Sequence, residues 1–573
     1  MTYLLLTRHV TLWQPYCKEK NKSRVNRIYG NVDFDYRLHF LPEMRAFVSL
    51  GFDQSKGEGF NYLPPRSGSG FENGGVPFGT DSEYTSYRKN ANLDAYLNYK
   101  KDIGRLNVDA TAGYNYQKFD AEDFNTGDRV NPNSIADVNT APDIVLVGFF
   151  GRGILTWADK YLLTLTYRHE ASSRFSEDNR WGSFPSAALA WRISEESFLK
   201  GSNTLSDLKL RASWGVTGQQ DISAAYSYLQ RYILSQPTSQ YSFDGTPSQT
   251  AIAQFINTEI KWEETMQYNV GIDYGLFNNR ITGSIDAFYK ESSDLLTFGP
   301  VADGSNFGNQ GFQNVGKFTT KGIEFSVDAS VVNIDRVKWN VNFNASHYQR
   351  EITKLINNSE IPTGGIAGGT GTTIQLLKEG FNPSSFYVYK QLYDANNNPI
   401  EGAYADLNGD GTINDRDRYI YKNADPKVTL GFASNFNAYN FDLYFNLRAS
   451  IGGRLYNNVN SNLAQWDRLI DQSALGNVPR SVQDSNFDTV GDRVLLSDYY
   501  IENASFLRMD NVTLGYTFNK WMNDDTSLRI YAGMQNVFLI TKYSGIDPEI
   551  FGGIDNTIYP RPRTFLVGAN VKF

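Results

Sequence analysis

The residues between positions 406 and 417 have the composition and spacing of a calcium-binding loop of the EF-hand type. The stretch reads Asp-Leu-Asn-Gly-Asp-Gly-Thr-Ile-Asn-Asp-Arg-Asp, which places oxygen-bearing residues at positions 1, 3, 5, 7, 9 and 12 and a glycine at position 6. Since Ca²⁺ prefers oxygen ligands, the spacing predicts a bound calcium ion that stiffens a long loop. The predicted ligands are Asp406, Asn408, Asp410, the carbonyl of Thr412, Asn414 and, in the closing position, Asp417.

One departure from that pattern leaves a second interpretation open. The closing residue Asp417 is shorter than the glutamate that is usual at position 12, which reshapes or weakens bidentate ligation. Asp and Asn side chains also hydrogen-bond to their own backbone in tight turns, so the same residues could form a solvated loop without an ion.

The sequence offers no constellation for enzymatic chemistry. The glycine-rich stretch 364–371 is not followed by Lys-Ser or Lys-Thr, so it predicts a flexible loop and not a phosphate-binding loop. His169 and His347 lie in strand-like runs, and no Gly-x-Ser-x-Gly nucleophile accompanies them. The single cysteine, Cys17, and four scattered histidines cannot build the usual His/Cys metal cluster. We therefore predict a protein that is not an enzyme and has no catalytic cofactor.

Composition and charge narrow the class of protein further. The chain has 573 residues, and its net charge of -8 argues against a nucleic-acid partner, whose phosphates call for a basic surface. Its longest apolar stretch, 144–150, is much shorter than the roughly 20 residues of a membrane-spanning helix. Aromatic residues nevertheless make up 14% of a chain whose mean hydropathy is -0.44. That combination is typical of a membrane β-barrel, in which only every second strand residue faces lipid.

From Arg24 onward, apolar and polar residues alternate in runs of roughly 8 to 14, the pattern of strands with two different faces. One run places Val337, Trp339, Val341, Phe343 and Ala345 opposite Lys338, Asn340, Asn342, Asn344 and Ser346. Another places Phe441, Leu443, Phe445, Leu447, Ala449 and Ile451 opposite Asp442, Asn446, Arg448 and Ser450. Counting such runs predicts an all-β fold, a transmembrane antiparallel β-barrel with about 17 strands present.

The connections between these runs alternate between short and long. Short links are predicted near 41–42, 102–103, 278–279, 335–336 and 439–440, and long external loops near 54–80, 221–258, 297–313, 356–428 and 452–500. Short turns on one rim and long loops on the other are typical of bacterial outer-membrane barrels. A soluble multi-domain β-protein that binds carbohydrate would show the same alternation along its strands, but it has no reason to sort its loops.

The strand count predicts a barrel that is incomplete at its front. Single-chain bacterial barrels have even numbers of strands, yet the first run near Arg24 starts at the long-loop rim while the last ends at the short-turn rim. We therefore expect residues 24–573 to form a barrel that lacks an odd number of strands. Residues 1–23 are unassigned and carry no recognisable export signal.

Short motifs spread from Arg24 to Phe573 resemble the SusC/RagA-type TonB-dependent transporters of the Bacteroidota outer membrane. In chain order they include Ser172-Ser-Arg-Phe175, Asn179-Arg-Trp-Gly-Ser-Phe-Pro185, Leu208-Lys-Leu-Arg-Ala-Ser213, Trp262-Glu-Glu-Thr265, Asn314-Val-Gly316, Ala504-Ser-Phe-Leu-Arg508, Gln535-Asn-Val-Phe538, Asp547-Pro-Glu549 and Arg561-Pro-Arg-Thr-Phe565. Each motif is short, but together and in order they are specific.

The resemblance implies a barrel of about 22 strands in the outer membrane, filled by an amino-terminal plug and worked by TonB and the proton-motive force. It also implies a SusD-like surface lipoprotein as partner and import of oligosaccharides or, in some members, peptides. The chain departs from the family pattern because the signal sequence, TonB box, plug and earliest strands are not found in it. It therefore resembles a fragment that would not transport alone. Import of siderophores stays open as well, whereas an outer-membrane lipase would need the nucleophile that the sequence lacks.

Two further expectations concern the ends of strands. Phe573, which closes an alternating run, resembles the carboxy-terminal signal by which the barrel-assembly machinery recognises its clients. Aromatic residues near strand ends are predicted either to form girdles at the membrane interfaces or to line the interior and stack on sugar rings. These residues are Tyr274, Tyr289, Tyr348, Tyr516 and Phe518.

Overall fold

Long antiparallel strands dominate the protein in the computed structural model. The described residues are 20–63, 79–127, 137–202, 204–221, 226–235, 239–243, 245–302, 304–355, 360–366, 372–471, 474–475, 477–489, 492–522, 524–556 and 558–572. Numbered along the chain together with the short strands, the long ones are β1 (Lys20–Arg37), β2 (Met44–Leu63), β3 (Thr80–Ile103), β4 (Leu106–Asn125), β5 (Asp137–Trp157), β6 (Tyr161–Ser172), β7 (Trp181–Arg192), β8 (Leu205–Gln219), β13 (Glu263–Leu276), β14 (Ile281–Ser293), β17 (Lys317–Ile334), β18 (Val337–Lys354), β25 (Val428–Ala438), β26 (Phe441–Ile451), β31 (Phe506–Asn519), β32 (Ser527–Thr541) and β34 (Thr564–Lys572). Within the described residues they form a 17-stranded sheet, which confirms the predicted antiparallel β architecture and its strand count.

Short elements occupy the longer connections. The short strands are β9 (Tyr232–Leu234), β10 (Tyr241–Phe243), β11 (Thr246–Ser248), β12 (Ala251–Ala253), β15 (Leu296–Pro300), β16 (Gln310–Asn314), β19 (Ile361–Gly365), β20 (Thr373–Leu377), β21 (Ser385–Val388), β22 (Gln391–Tyr393), β23 (Pro399–Tyr404), β24 (Tyr419–Asn423), β27 (Arg454–Asn457), β28 (Ile470–Asp471), β29 (Ala474–Leu475), β30 (Ile501–Asn503) and β33 (Ile554–Asp555). The helices are α1 (Asn458–Leu463), α2 (Val482–Ser485) and α3 (Asp492–Leu495), with 3-10 turns at Ile193–Glu195, Asp415–Asp417, Trp466–Leu469, Asp498–Tyr500 and Phe551–Gly553. Over the described ranges, no helix has both the length and the apolarity needed to cross a membrane.

The first of two compact units contains the residues up to Leu189 together with Gly215–Thr265 and Asp294–Asn314. Its strands β1 to β6 pair in chain order, each antiparallel to the next. A small core of Phe175, Phe184, Ile260 and Trp262 joins the connections to β7. The connections of this unit are therefore packed against strand residues by apolar contacts.

The second compact unit contains Ala190–Trp214, Met266–Ser293 and the residues from Val315 onward. Strands β14, β17, β18, β25, β26, β31, β32 and β34 pair in that order, all antiparallel. The connections from β18 to β25 and from β26 to β31 share a core of their own. Its buried residues are Ile374, Phe386, Val388, Tyr456, Phe487, Val494, Tyr500 and Ile501. Two of the predicted long loops are thus one folded body.

The strand bounds agree with some predicted boundaries and correct others. β17 and β18 are joined at 335–336 and β25 and β26 at 439–440, as predicted. The link between β3 and β4 is 104–105 and not 102–103, because Gly104 adopts the positive φ of +62° that the turn requires.

Two strands are longer than the residue pattern indicated. β2 continues to Leu63 in unbroken register with β3, so 54–63 is strand and the predicted loop begins later. β1 begins at Lys20, before the predicted start at Arg24, since Lys20 already pairs with Tyr62 of β2. In both cases backbone pairing continues where the apolar alternation has faded, because ladder hydrogen bonds do not depend on side-chain polarity.

The two faces of the strands differ as the alternation predicted. In β26, Asp442 accepts a hydrogen bond of 2.8 Å from the Arg529 side chain, and Arg448 donates to Asp510 on the same face. On the opposite face Phe441 is 53% exposed, and on β31 Leu514 is 52% exposed. Large exposed apolar side chains on one strand face mark a surface that contacts a membrane or a protein partner.

A buried ion pair holds the segment that connects β32 to β34 against β31. The Arg508 guanidinium donates to the Asp547 carboxylate at 2.6 Å, and the side chains are only 2% and 4% exposed. Asp547 also accepts the backbone N–H of Glu549 at 2.9 Å, which turns that segment toward the sheet. The pair lies beside Arg448 and Glu549, so it supports the part of the strand face that carries the polar site below.

Replacing Arg508 by Met is expected to destabilise the second unit by about 3 kcal/mol, because the buried Asp547 then keeps, among the described residues, only the longer ion pair with the half-exposed Arg561 at 3.3 Å. The double variant Arg508→Met, Asp547→Leu should recover most of that loss, since no unpaired charge is left. The stability of the single and the double variant is measured in two ways, by the temperature at which the folded gel band is lost and by denaturant unfolding in detergent. The matched control is Arg336→Met in the exposed β17–β18 turn. A single variant that unfolds like the control would contradict the proposed role of the pair.

Candidate functional site on the polar strand face

A cavity of about 770 Å³ lies against the polar face of β18, β25 and β26 in the second unit. We call it the strand cavity. The side chains of Asn342 and Asn344 from β18 and of Tyr444, Asn446 and Arg448 from β26 line it. These positions alternate along their strands, so one face supplies amides, a phenol and a guanidinium to the same space.

The charges at the strand cavity neutralise one another. Arg448 donates to Asp510 at 2.5 Å and to Glu549 at 2.7 Å, and Glu549 also accepts from Arg561 at 3.0 Å. Asp510 can reach Arg448 because a β-bulge in β31 leaves it out of register between Met509 and Asn511. The cavity wall therefore presents paired charges and neutral hydrogen-bonding groups.

A second cavity of about 430 Å³ continues along the same face toward the short-turn end of the strands. It shares Asn342, Ala433 and Tyr444 with the strand cavity and extends to Asn279 and Arg280 at the β13–β14 turn. Tyr444 thus separates two polar spaces that follow each other along the strands.

The first unit carries a comparable polar face. Asn115 donates to Asp94 at 2.6 Å, and Arg168 donates to Asn115 at 3.3 Å and to Glu170 at 2.6 Å. These four residues come from β3, β4 and β6, so the contacts cross three strands. Here too the polar face consists of paired groups, while Tyr114 and Phe149 occupy the other face.

The predicted calcium loop is a compact turn in the connection between β23 and β24. The Asp406 carboxylate accepts the backbone N–H of Gly409 at 2.6 Å and of Gly411 at 2.8 Å. Asn408 and Asp410 accept the N–H groups of residues two positions on, both at 2.8 Å. Gly411 has a φ of +80°, the sharp turn that the motif predicted at position 6.

The closing residue of that loop is held by the backbone. Asp417 is buried and accepts the N–H groups of Asn414, Leu407 and Asn408. The N–H of Asn414 foremost lowers the pKa of Asp417, so this carboxylate stays ionised into mild acid.

The candidate ligands fit a cation only as a mixed oxygen set. Among the described residues, no three His, Cys, Asp or Glu side chains come together as a metal cluster. A calcium ion would therefore depend on the amide oxygens of Asn408 and Asn414 and the carbonyl of Thr412 as well as on the carboxylates. Ca²⁺ accepts such mixed sets, and the site stays a prediction.

The structure shows which strand face each of the strand-end aromatic residues occupies, a question that the sequence left open. Tyr348 shares the polar face with Arg350, which pairs with Asp425. Tyr516 and Phe518 share the apolar face with Leu514 and stack edge-on at 4.7 Å between ring centroids. Tyr274 and Tyr289 also lie on the apolar face. Each is an even number of residues away from an exposed isoleucine of its own strand, Ile272 and Ile285 respectively. Phe573, the predicted assembly signal, lies outside the described residues.

Sequence reasoning missed two residues of the site. Tyr444 was not assigned to the polar face, although its even spacing from Asp442 and Asn446 places it there. Glu549 was noted only as part of a motif. Its pairing with Arg448 joins residues 101 positions apart, which no local pattern reveals.

Comparison with known proteins agrees with this geometry. The family model described as "TonB dependent receptor-like, beta-barrel" matches residues 11–537. That match begins inside the segment 1–23, which the motifs had left unassigned.

Two curated relatives carry the comparison further. The TonB-dependent receptor SusC of Bacteroides thetaiotaomicron is 38% identical over 574 residues, covering 97% of this chain and 56% of that protein. The TonB-dependent receptor P3 of Formosa agariphila is 31% identical over 538 residues, covering 85% of this chain and 53% of that protein. The chain spans about half the length of these relatives.

Solved structures agree on the fold. The structure of the RagAB peptide transporter matches with a TM-score of 0.77 at 20% identity, over 97% of this chain and 62% of that chain. An exposed apolar strand face and an opposite polar one are what a barrel in a membrane requires. The chain is an outer-membrane protein that belongs to the TonB-dependent receptor-like β-barrel family, in its SusC/RagA type.

Proposed function

We propose that this chain is the barrel part of a TonB-dependent importer of oligosaccharides that works with a SusD-like surface lipoprotein. The observation that carries the proposal is the strand cavity, whose wall offers hydrogen bonds without net charge. Sugars are neutral and rich in hydroxyl groups, and Asn, Tyr and paired Arg/carboxylate groups suit them. The 38% sequence identity to SusC supports the same function.

The arrangement of the two cavities supports passage and not only binding. They follow each other along one strand face and share Tyr444, so a ligand could move between hydrogen-bonding groups of similar kind. Transport requires sites that bind well enough to admit a ligand and weakly enough to release it. A row of successive hydrogen-bonding groups meets that condition better than a single strong site.

Peptide import is the second candidate, because the fold also matches that of the RagAB peptide transporter. A peptide brings charged termini, which would need unpaired countercharges in the cavity wall. Arg448 and Glu549 are already paired with each other, so the strand cavity favours a neutral ligand. Siderophore import has no comparable support in the cavity.

Uptake of labelled compounds distinguishes these candidates. We expect cells that make the full-length protein and its lipoprotein partner to accumulate a fluorescent oligosaccharide, and a tonB deletion to abolish that accumulation. A labelled tripeptide of matched size serves as the competing substrate. Accumulation of the tripeptide in place of every oligosaccharide tested would overturn the proposal.

Replacing Tyr444 by Ala is expected to weaken oligosaccharide binding about tenfold, since removal of one aromatic contact at a binding centre costs on the order of 1–2 kcal/mol. Isothermal titration of the full-length protein in detergent measures it. The matched control is Tyr439→Ala, in the exposed turn of the same hairpin. Equal affinities for the two variants would remove Tyr444 from the binding site.

We also propose that the loop from Asp406 to Asp417 binds calcium in a structural role. The backbone hydrogen bonds described above hold its carboxylate and amide oxygens in place before an ion arrives, which lowers the cost of assembling the site. Tyr389 donates to the Asp415 carboxylate at 2.9 Å, so a bound ion would tie the loop to β21 and its core.

Terbium, a luminescent substitute for calcium, tests this site because Tyr387 and Tyr389 both contact Asp415 and can sensitise its emission. We expect calcium-displaceable emission from the full-length protein and at least a tenfold loss of affinity in Asp406→Asn. Asp394→Asn, in a tight turn with similar backbone contacts, is the control. The solvated-loop interpretation holds if Asp406→Asn and Asp394→Asn behave alike.

A further inference from the structure

A smaller cavity lies within the folded connections of the second unit, apart from the strand cavity. Its volume is about 230 Å³, and it lies between α1, α2, the 3-10 turn Asp498–Tyr500 and Ser544. We call it the loop pocket. The lining residues used below are Asn460, Ser481, Asp484, Ser485, Tyr499 and Glu502.

Hydrogen bonds between the elements hold the wall of the loop pocket in place. Ser481 donates to the Asn460 side chain at 2.9 Å, which joins α2 to α1. Glu502 accepts from the Asn457 amide at 2.8 Å and from the N–H of Ser544 at 2.7 Å, which joins β30 to both neighbours. The pocket is therefore preformed, as ligand sites usually are.

Three side chains of the wall indicate a ligand site, namely those of Asp484, Ser485 and Tyr499. Asp484 is an exposed residue of the wall, and its carboxylate is close enough to Tyr499 for its charge to act on that hydroxyl. Ser485 is 5% exposed, and its hydroxyl is buried without a hydrogen-bond partner among the described residues. A buried hydroxyl without a partner is costly, so its presence beside a cavity calls for an explanation.

The third group is Tyr499, which offers an aromatic ring and a donor. Its ring is fixed by Phe487 at 5.7 Å and by Tyr500 at 5.0 Å between centroids. Burial, and then the nearby charge of Asp484, raises the pKa of Tyr499 to about 12, so its hydroxyl stays protonated and can donate. A rigid ring beside a carboxylate binds ligands that have one apolar face and hydroxyl groups at their edge.

Charge and size define the ligand further. The pocket has two carboxylates and no lysine or arginine in its wall, so its ligand donates hydrogen bonds and carries no negative charge. Its volume is below the roughly 300–1,000 Å³ of pockets that hold drug-sized molecules, which leaves room for a single ring. We propose that the loop pocket binds one neutral sugar residue, the terminal unit of the imported oligosaccharide. This inference rests on the proposed function and adds a subsite to it.

The test is isothermal titration of the full-length protein, purified in detergent, with short oligosaccharides of glucose, mannose, xylose and galactose and with a lysine-containing tripeptide. The variants are Asp484→Asn, Ser485→Ala and Tyr499→Ala, with Tyr499→Phe added because it keeps the packing on Phe487 and removes only the hydroxyl. Asp488→Asn, an exposed residue just beyond α2 and outside the pocket, is the matched control. The heat-modifiable gel shift verifies that each variant is folded.

We expect Asp484→Asn and Tyr499→Ala to weaken binding of an oligosaccharide at least tenfold, Tyr499→Phe and Ser485→Ala to weaken it less, and Asp488→Asn to leave it unchanged. If the wild-type protein binds an oligosaccharide and every folded pocket variant binds it as tightly as Asp488→Asn, the loop pocket is not a subsite and the proposed function stands. If the wild-type protein binds the tripeptide and no oligosaccharide, both the subsite and the proposed function are overturned.

Discussion

A strand in apolar surroundings must pair every backbone N–H and C=O group, and the rest of this protein follows from that constraint. The ladder between β3 and β4 meets it without interruption from Tyr84 opposite Asn125 to Ile103 opposite Leu106. Because the ladders set the register, successive side chains point to opposite faces, and a slip of one residue would exchange the faces. Register therefore decides which side chains meet lipid and which form the polar face.

The polar face is organised by pairing across strands. Asp442 with Arg529 and Arg448 with Asp510 each cancel a charge that would be costly beside an apolar wall. Where the ladder would misplace a partner, a bulge corrects it, as at Asp510. The outcome is a surface with many hydrogen-bonding groups and little net charge, which is the basis for proposing a neutral, hydroxyl-rich ligand.

The long connections add a second level of structure. Those between β18 and β25 and between β26 and β31 bury a common core around Phe386 and Tyr456. The candidate calcium loop is joined to this core through Tyr389, which directly follows the core residue Val388, and the loop pocket is joined to it through Tyr500. Sites on a packed body of this kind keep their geometry better than sites on free loops, since neighbouring side chains restrict each rotamer.

The sequence alone determined the strand architecture, because period-2 alternation and turn placement are local properties. The sequence predicted the faces of β18 and β26, the strand count and the glycine turn of the calcium motif. Family motifs could be recognised for the same reason, since each spans only a few consecutive residues.

Only the tertiary structure decided which distant residues meet. Arg448 and Glu549 are 101 positions apart. Arg508 pairs with Asp547 across a whole hairpin, and Asp510 reaches Arg448 only through the bulge in β31. Cavities also arise between elements, so no run of residues could reveal the strand cavity or the loop pocket. Strand pairing and side-chain packing join residues that are distant in the chain, and this is why the site, unlike the strands, could not be derived from local pattern.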